Sequence, residues 1–168
     1  MNKDTVVAEK QMVLFKLGSE TYGLDIATVH EIIRMQPITK VPKAPFYVEG
    51  VINLRGKVIP VIDMGKRFGL EKVENNKNNR IVVVNIQDTI LGIIVDAVTE
   101  VIRIPMDSIE PVSDIITAAN SDYLLGIAKL TDKMVILLEL DKLLSGDNIL
   151  ANLAVAKSKE KAAPAGVK

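Results

Sequence analysis

No cysteine and no tryptophan occur in the 168 residues, histidine occurs once, and only six residues are Phe or Tyr. Without cysteine there is no disulfide framework, thiolate metal site, cysteine nucleophile or redox dithiol. With His30 alone, a metal cluster would draw almost all of its ligands from carboxylates. No apolar run approaches the roughly 18 residues of a membrane span, and Met1-Asn2-Lys3-Asp4 opens no signal-peptide core. Neither charge is in excess, with 21 basic and 21 acidic side chains. The charge is unevenly spread, however: net +3 over residues 1–70, −6 over 71–156 and +3 over 157–168. A nucleic-acid binder concentrates lysine and arginine, often among aromatics, so no nucleic-acid partner is expected. Direct membrane insertion is not expected either. The expectation is a soluble, cytoplasmic protein whose partners are proteins of complementary charge.

What is abundant is the β-branched aliphatic side chain. Valine and isoleucine supply 40 residues, which favours sheet. An internal repeat organises them. Val13–Leu17 matches Val82–Ile86 at a shift of 69 residues, and Tyr22-Gly23-Leu24 then meets Leu91-Gly92-Ile93. At the same shift Val29-His30-Glu31-Ile32-Ile33-Arg34 meets Val98-Thr99-Glu100-Val101-Ile102-Arg103, and Pro42 meets Pro111. The match resumes at a shift of 76, where Gly50–Lys57 meets Gly126–Lys133 and Asp63–Lys66 meets Glu139–Lys142.

Each unit reads as strands. Met12–Leu17 with Tyr22–Leu24, and Arg80–Ile86 with Ile90–Val95, form hairpins bounded by polar turn residues. Val51–Leu54 and Lys57–Ile62 flank an Arg55-Gly56 turn, and Leu125–Leu130 with Lys133–Leu138 is the counterpart. Pro60 inside a strand points to an edge or barrel rim. Short helices are expected over Ile26–Ile33, Met64–Phe68 and Leu140–Leu144. The fold class is therefore all-β: two small barrels packed around a shared core, with minor helices. One domain spans 11–146, its subdomains covering about 12–68 and 80–146 with room for strand exchange. Residues 147–161 carry the spacing of a C-terminal helix, and 162–168 a disordered tail.

Groups that could do chemistry are sparse. His30 neighbours Glu31 but forms no dyad with it by sequence, and no phosphate loop, nucleophile elbow or H-E-x-x-H motif is present. Asp63 and Glu139 precede short helices, where a carboxylate serves as a cap. No catalytic, metal or cofactor site is expected. Read from residues alone, Val29, Val98 and Val101 divide evenly between core and the floor of a groove for a partner helix, while Ile33 and Ile102 read as core. An enzyme on an unusual double-barrel scaffold, and an RNA-binding barrel using Lys157, Lys159 and Lys161, are the other classes still open at this point.

One longer pattern is recognisable. Phe15-Lys16-Leu17-Gly18, Tyr22–Ile26, Val29-His30-Glu31-Ile32, Ile38–Pro42 and above all Gly50-Val51-Ile52-Asn53-Leu54-Arg55-Gly56-Lys57-Val58-Ile59-Pro60-Val61-Ile62-Asp63 resemble the CheW family of chemotaxis coupling proteins. Ile93–Val98, Tyr123–Ala128 and Leu140–Leu144 continue the likeness, which covers about Gln11 to Gly146. The resemblance implies two five-stranded SH3-like barrels around a shared core and a non-catalytic adaptor without cofactors. It also implies two partners: the cytoplasmic tip of methyl-accepting chemoreceptors, and the regulatory domain of the histidine kinase CheA. The protein would then be recruited to membrane-associated receptor arrays. No ATP-binding, phosphotransfer or receiver domain accompanies the pattern, so the kinase and CheV-type proteins are not expected. By motif, receptor-coupling positions fall on Val29, Glu31, Arg55, Ile81, Val98 and Val101. A kinase-contact segment falls on Val112, Asp114 and Ile115, with isoleucine at 115 where relatives often carry phenylalanine.

Overall fold

The computed structural model describes residues 8–67, 69–70, 77–111 and 124–141. The chain runs through β1 (Glu9–Leu17), β2 (Glu20–Asp25), a 3-10 turn η1 (Ile26–Thr28), β3 (Val29–Arg34), β4 (Val48–Leu54), β5 (Lys57–Asp63) and α1 (Met64–Arg67). It continues through β6 (Arg80–Ile86), β7 (Thr89–Val95), β8 (Ala97–Pro105), η2 (Met106–Ser108), β9 (Ile109–Glu110), β10 (Leu124–Lys129) and β11 (Met134–Leu138). The fold is all-β, in two sheets ordered β8-β1-β2-β11-β10-β9 and β3-β6-β7-β5-β4.

The sheets do not follow the repeat boundaries. Each takes the first two strands of one repeat, β1 and β2 or β6 and β7, and its remaining strands from the other, in a reciprocal exchange within one chain. The junctions are parallel pairs at equivalent registers: Val61 faces Gly92 where β5 meets β7, and Leu137 faces Gly23 where β11 meets β2. The strand exchange for which the 12–68 and 80–146 subdomains left room makes the two barrels interlocked. The six-stranded sheet gains its extra strand from β9, which pairs with β10 opposite Ile127 and Ala128. Its counterpart in the other sheet is a single bridge, Thr39 to Val51.

Three apolar cores result. Met12, Leu14, Ile104, Ala128, Val135 and Leu137 fill the six-stranded sheet. Ile52, Ile59, Val61, Ile81 and Val83 fill the five-stranded one, with Ile33 of edge strand β3 and Leu54 of edge strand β4 packed against them. A sheet whose two edges share one cluster is rolled on itself, which is how small sheets hide their edges. Between the sheets lies a larger core that includes Phe15, Leu17, Val82, Val84, Ile86, Leu91 and Ile93. β1 and β6 thus bury both faces, which is why Met12–Phe15 and Ile81–Val84 are apolar without interruption. Gly23 and Gly92 lie where the sheets have no room for a side chain. A Cβ on Gly92 would come within 2.7 Å of the Ile81 side chain, and one on Gly23 within 2.9 Å of Leu137.

Two local expectations are corrected. Ile26–Ile33 is not a helix; only Ile26–Thr28 turns, capped by the Asp25 carboxylate accepting from the Ala27 N–H at 2.9 Å. Val29, Ile32 and Ile33 are β-branched and take the strand instead, paired with β6. Pro60 is not on an edge: β5 lies between β4 and β7, and Pro60 is buried opposite Val51. Val51 turns its N–H and C=O toward Thr39 (2.8 and 2.9 Å), away from Pro60. The pair therefore needs no proline donor, and the β7 ladder begins only at Val61. Asp63 caps α1 as expected, accepting from the Lys66 N–H at 3.1 Å. The helix expected over Leu140–Leu144 has only its first two residues, Leu140 and Asp141, among those described. The expected C-terminal helix and tail lie outside them.

Candidate functional site

The rim of the five-stranded sheet is set by a turn. Leu54 and Lys57 close β4 and β5 over a two-residue loop in which Arg55 and Gly56 have φ of 52° and 88°. Positive φ at both central positions is the type I′ turn that matches strand twist. The Asn53 side-chain oxygen accepts from the Gly56 N–H at 2.8 Å and fastens the loop. Arg55 thereby reaches across to Glu31 on β3 and donates two hydrogen bonds, of 2.5 and 2.8 Å, to its carboxylate. Such a fork-on-fork pair fixes orientation as well as charge. The Arg55 side chain is 70% exposed and that of Glu31 22%, so the pair is a rim feature and not a buried one. The Arg55 hydrogen bonds hold the Glu31 carboxyl below its ordinary pKa, assisted by the charges of Arg55 and His30 against a partial loss of hydration.

Glu31 reaches this rim because β3 bulges. Val29 pairs with Val84 and Glu31 with Val83, leaving His30 as the extra residue. Thr99 is its repeat counterpart, extra between Glu100 and Val98 against β1. Below the pair lies a pocket of ≈ 230 Å³, floored by Leu54, Ile59 and Ile90 and lipped by His30, Arg55 and Lys57. That is smaller than the roughly 300–1,000 Å³ of small-molecule sites and suits one protein side chain.

The other expected receptor positions divide. Val29 and Val98, equivalent in the repeat, are partly buried and both pack against the core between the sheets. Val101 is 46% exposed on β8. Ile81 is a correction. It is fully buried between its strand neighbours Ile33 and Ile94, so it supports the rim from beneath and offers no surface. Ile33 and Ile102, read as core, are partly buried and pack against the cores of the five-stranded and six-stranded sheets. Val112, Asp114 and Ile115 lie outside the described residues. Phe46, 72% exposed and edge-on to Tyr47 at 5.3 Å, was missed. The signal was in the repeat: Pro42 matches Pro111, and the same shift sets Phe46 against Ile115.

Two interlocked barrels, one with an ion-paired rim, and with Val101 exposed on β8, define a class: a scaffold whose distinctive features are contact surfaces. Comparison with known proteins gives the family. The model of the CheW-like domain matches residues 11–148. The chemotaxis protein CheW of Klebsiella aerogenes is 34% identical over 89% of this chain and 90% of its own. That of Helicobacter pylori is 38% identical over 82% of each. The scaffolding protein TtCheW of Thermoanaerobacter tengcongensis, a crystal structure, is 48% identical, with a TM-score of 0.75 over 82% of this chain and 93% of that one. The chain belongs to the CheW family of chemotaxis adaptor and scaffold proteins.

Proposed function

We propose that the protein is a non-catalytic coupling protein, joining the helical cytoplasmic tip of chemoreceptors to the regulatory domain of the histidine kinase CheA. The observation that carries the receptor contact is the bidentate Glu31–Arg55 pair, poised on the rim of one barrel. Val29 and Val98 approach the shared core from strands of different sheets, which suits a seam that receives one partner helix. Their β-branched side chains lose little rotamer freedom when covered. Val101, 46% exposed on the same strand as Val98, is assigned to the same contact through the family likeness. Kinase contact is assigned to Val112, Asp114 and Ile115 through the family likeness. No helix among the described residues is long and apolar enough to cross a membrane, so recruitment to receptor arrays would run through these partners.

The test is a titration of the full chain with a soluble receptor-tip fragment and, separately, with the kinase regulatory domain. Arg55→Glu places two carboxylates together and should abolish receptor binding while leaving kinase binding near wild type. Equal receptor affinity in the variant and wild type would sink the assignment.

A further inference from the structure

Each barrel neutralises an equivalent glutamate, but with a base from a different position. Glu31 takes Arg55 from the turn. Glu100, its repeat counterpart, takes Lys133 at 2.7 Å. Lys133 is the counterpart of Lys57, and Thr131 stands where Arg55 does. Arg55 therefore does for the five-stranded sheet what Lys133 does for the six-stranded one. Lys57 is left exposed on the pocket lip with no ion pair among the described residues.

We propose that Lys57 is a specificity-determining cation of this pocket. It receives a carboxylate lying one helical turn from an apolar side chain seated on Leu54, Ile59 and Ile90. With the Glu31 charge already answered by Arg55, the uncompensated charge of Lys57 stands beside an apolar floor. A helix offers both groups at once, because residues three or four apart share a face. The inference rests on reading the Glu31–Arg55 rim as the receptor contact, and it names what the receptor must present there.

The experiment is a titration of the full chain with the receptor-tip fragment over a series of salt concentrations. Lys57→Ala should weaken binding about two- to fivefold, as for an exposed ion pair, and flatten its salt dependence. Lys57→Glu should weaken it roughly tenfold through like-charge repulsion. Melting should be unchanged in both variants. Acidic residues of the fragment are then changed to lysine one at a time, and one such change should restore binding to Lys57→Glu. If Lys57→Glu binds like wild type while Arg55→Glu does not, the role of Lys57 is wrong and the coupling reading stands. If the loss falls on the kinase regulatory domain instead, the pocket serves the kinase and the proposal is overturned. If neither Arg55→Glu nor Lys57→Glu changes receptor binding, both readings fall.

Discussion

Arg55 sits in the left-handed region, where a side chain with a Cβ costs about 1–2 kcal/mol. An arginine kept at such a position, when Asn-Gly is the preferred pair for the turn, is placed for what its guanidinium reaches. Arg55→Asn tests this directly. The variant should melt at or above the wild-type temperature, because asparagine tolerates the turn and the lost pair is exposed. Its receptor affinity should nevertheless fall. A clearly lower melting temperature would mean that the pair holds the fold, contrary to the weak contribution expected of surface pairs. The same variant reports on proton binding. The folded-state pKa of Glu31 is lowered, chiefly by the Arg55 hydrogen bonds. The stabilisation it brings is therefore complete above the ordinary carboxylate range and is lost only as pH falls through the lowered value. Between pH 5 and 8 this pair should contribute no pH dependence to stability. In Arg55→Asn the Glu31 carboxyl should titrate at higher pH than in wild type, measured by NMR of the side-chain carbon. Coincident titration curves would show that the hydrogen bonds are not what lowers it.

Elements separate what supports the seam from what faces outward. β6 and β7 carry Ile81 and Gly92 inside the five-stranded sheet, whereas β3 and β8 carry Val29 and Val98 against the margin of the shared core. Gly92→Ala drives a methyl to within 2.7 Å of Ile81 and should cost ~1–3 kcal/mol by overpacking. Ile81→Ala should cost ~2–5 kcal/mol through the cavity it leaves. Val29→Met and Val98→Met extend partly exposed side chains and should shift melting little, while weakening receptor binding by raising the groove floor. Thermal melts of all four variants with receptor titrations decide the matter: large losses in the two valine variants would make them core. The sequence separated these roles in part. Alternation and the unbroken runs at Met12–Phe15 and Ile81–Val84 marked the buried strands, but a motif transferred from relatives could not distinguish a contact residue from the one beneath it, so Ile81 was misplaced. The run from Ile26 to Ile33 carried helical spacing as well as β-branching. Pairing with β6, a long-range contact, decided between them.

At the scale of the whole molecule the repeat was legible, and the identity of the exchanged strands was not. Matching residues reveal two related units, but strand partners of β1 lie near residue 100 and those of β2 near residue 136, beyond the reach of local pattern. Because each sheet needs strands from both halves, fragments cut between residues 70 and 77 should be largely unfolded alone and regain the wild-type circular dichroism spectrum when mixed. Independent folding of either half would contradict the exchange. The same twofold logic bears on assembly. On the coupling reading, with a kinase regulatory domain that shares this fold as the family resemblance implies, a barrel of one protein would meet the opposite barrel of the other. A head-to-tail contact repeated in this way closes into a ring when its rotation permits. On that reading the family likeness puts one kinase contact at Ile115, and the matching position of the first repeat is the exposed Phe46. Phe46→Asp and Ile115→Asp should each weaken kinase binding by removing a different contact. Effects of separate sites add, so the double variant should lose the sum of the two free energies, measured by titration with the regulatory domain. A double variant no weaker than the worse single one would place both residues on one contact, and such a protein could bind the kinase but could not bridge two copies of it into a ring.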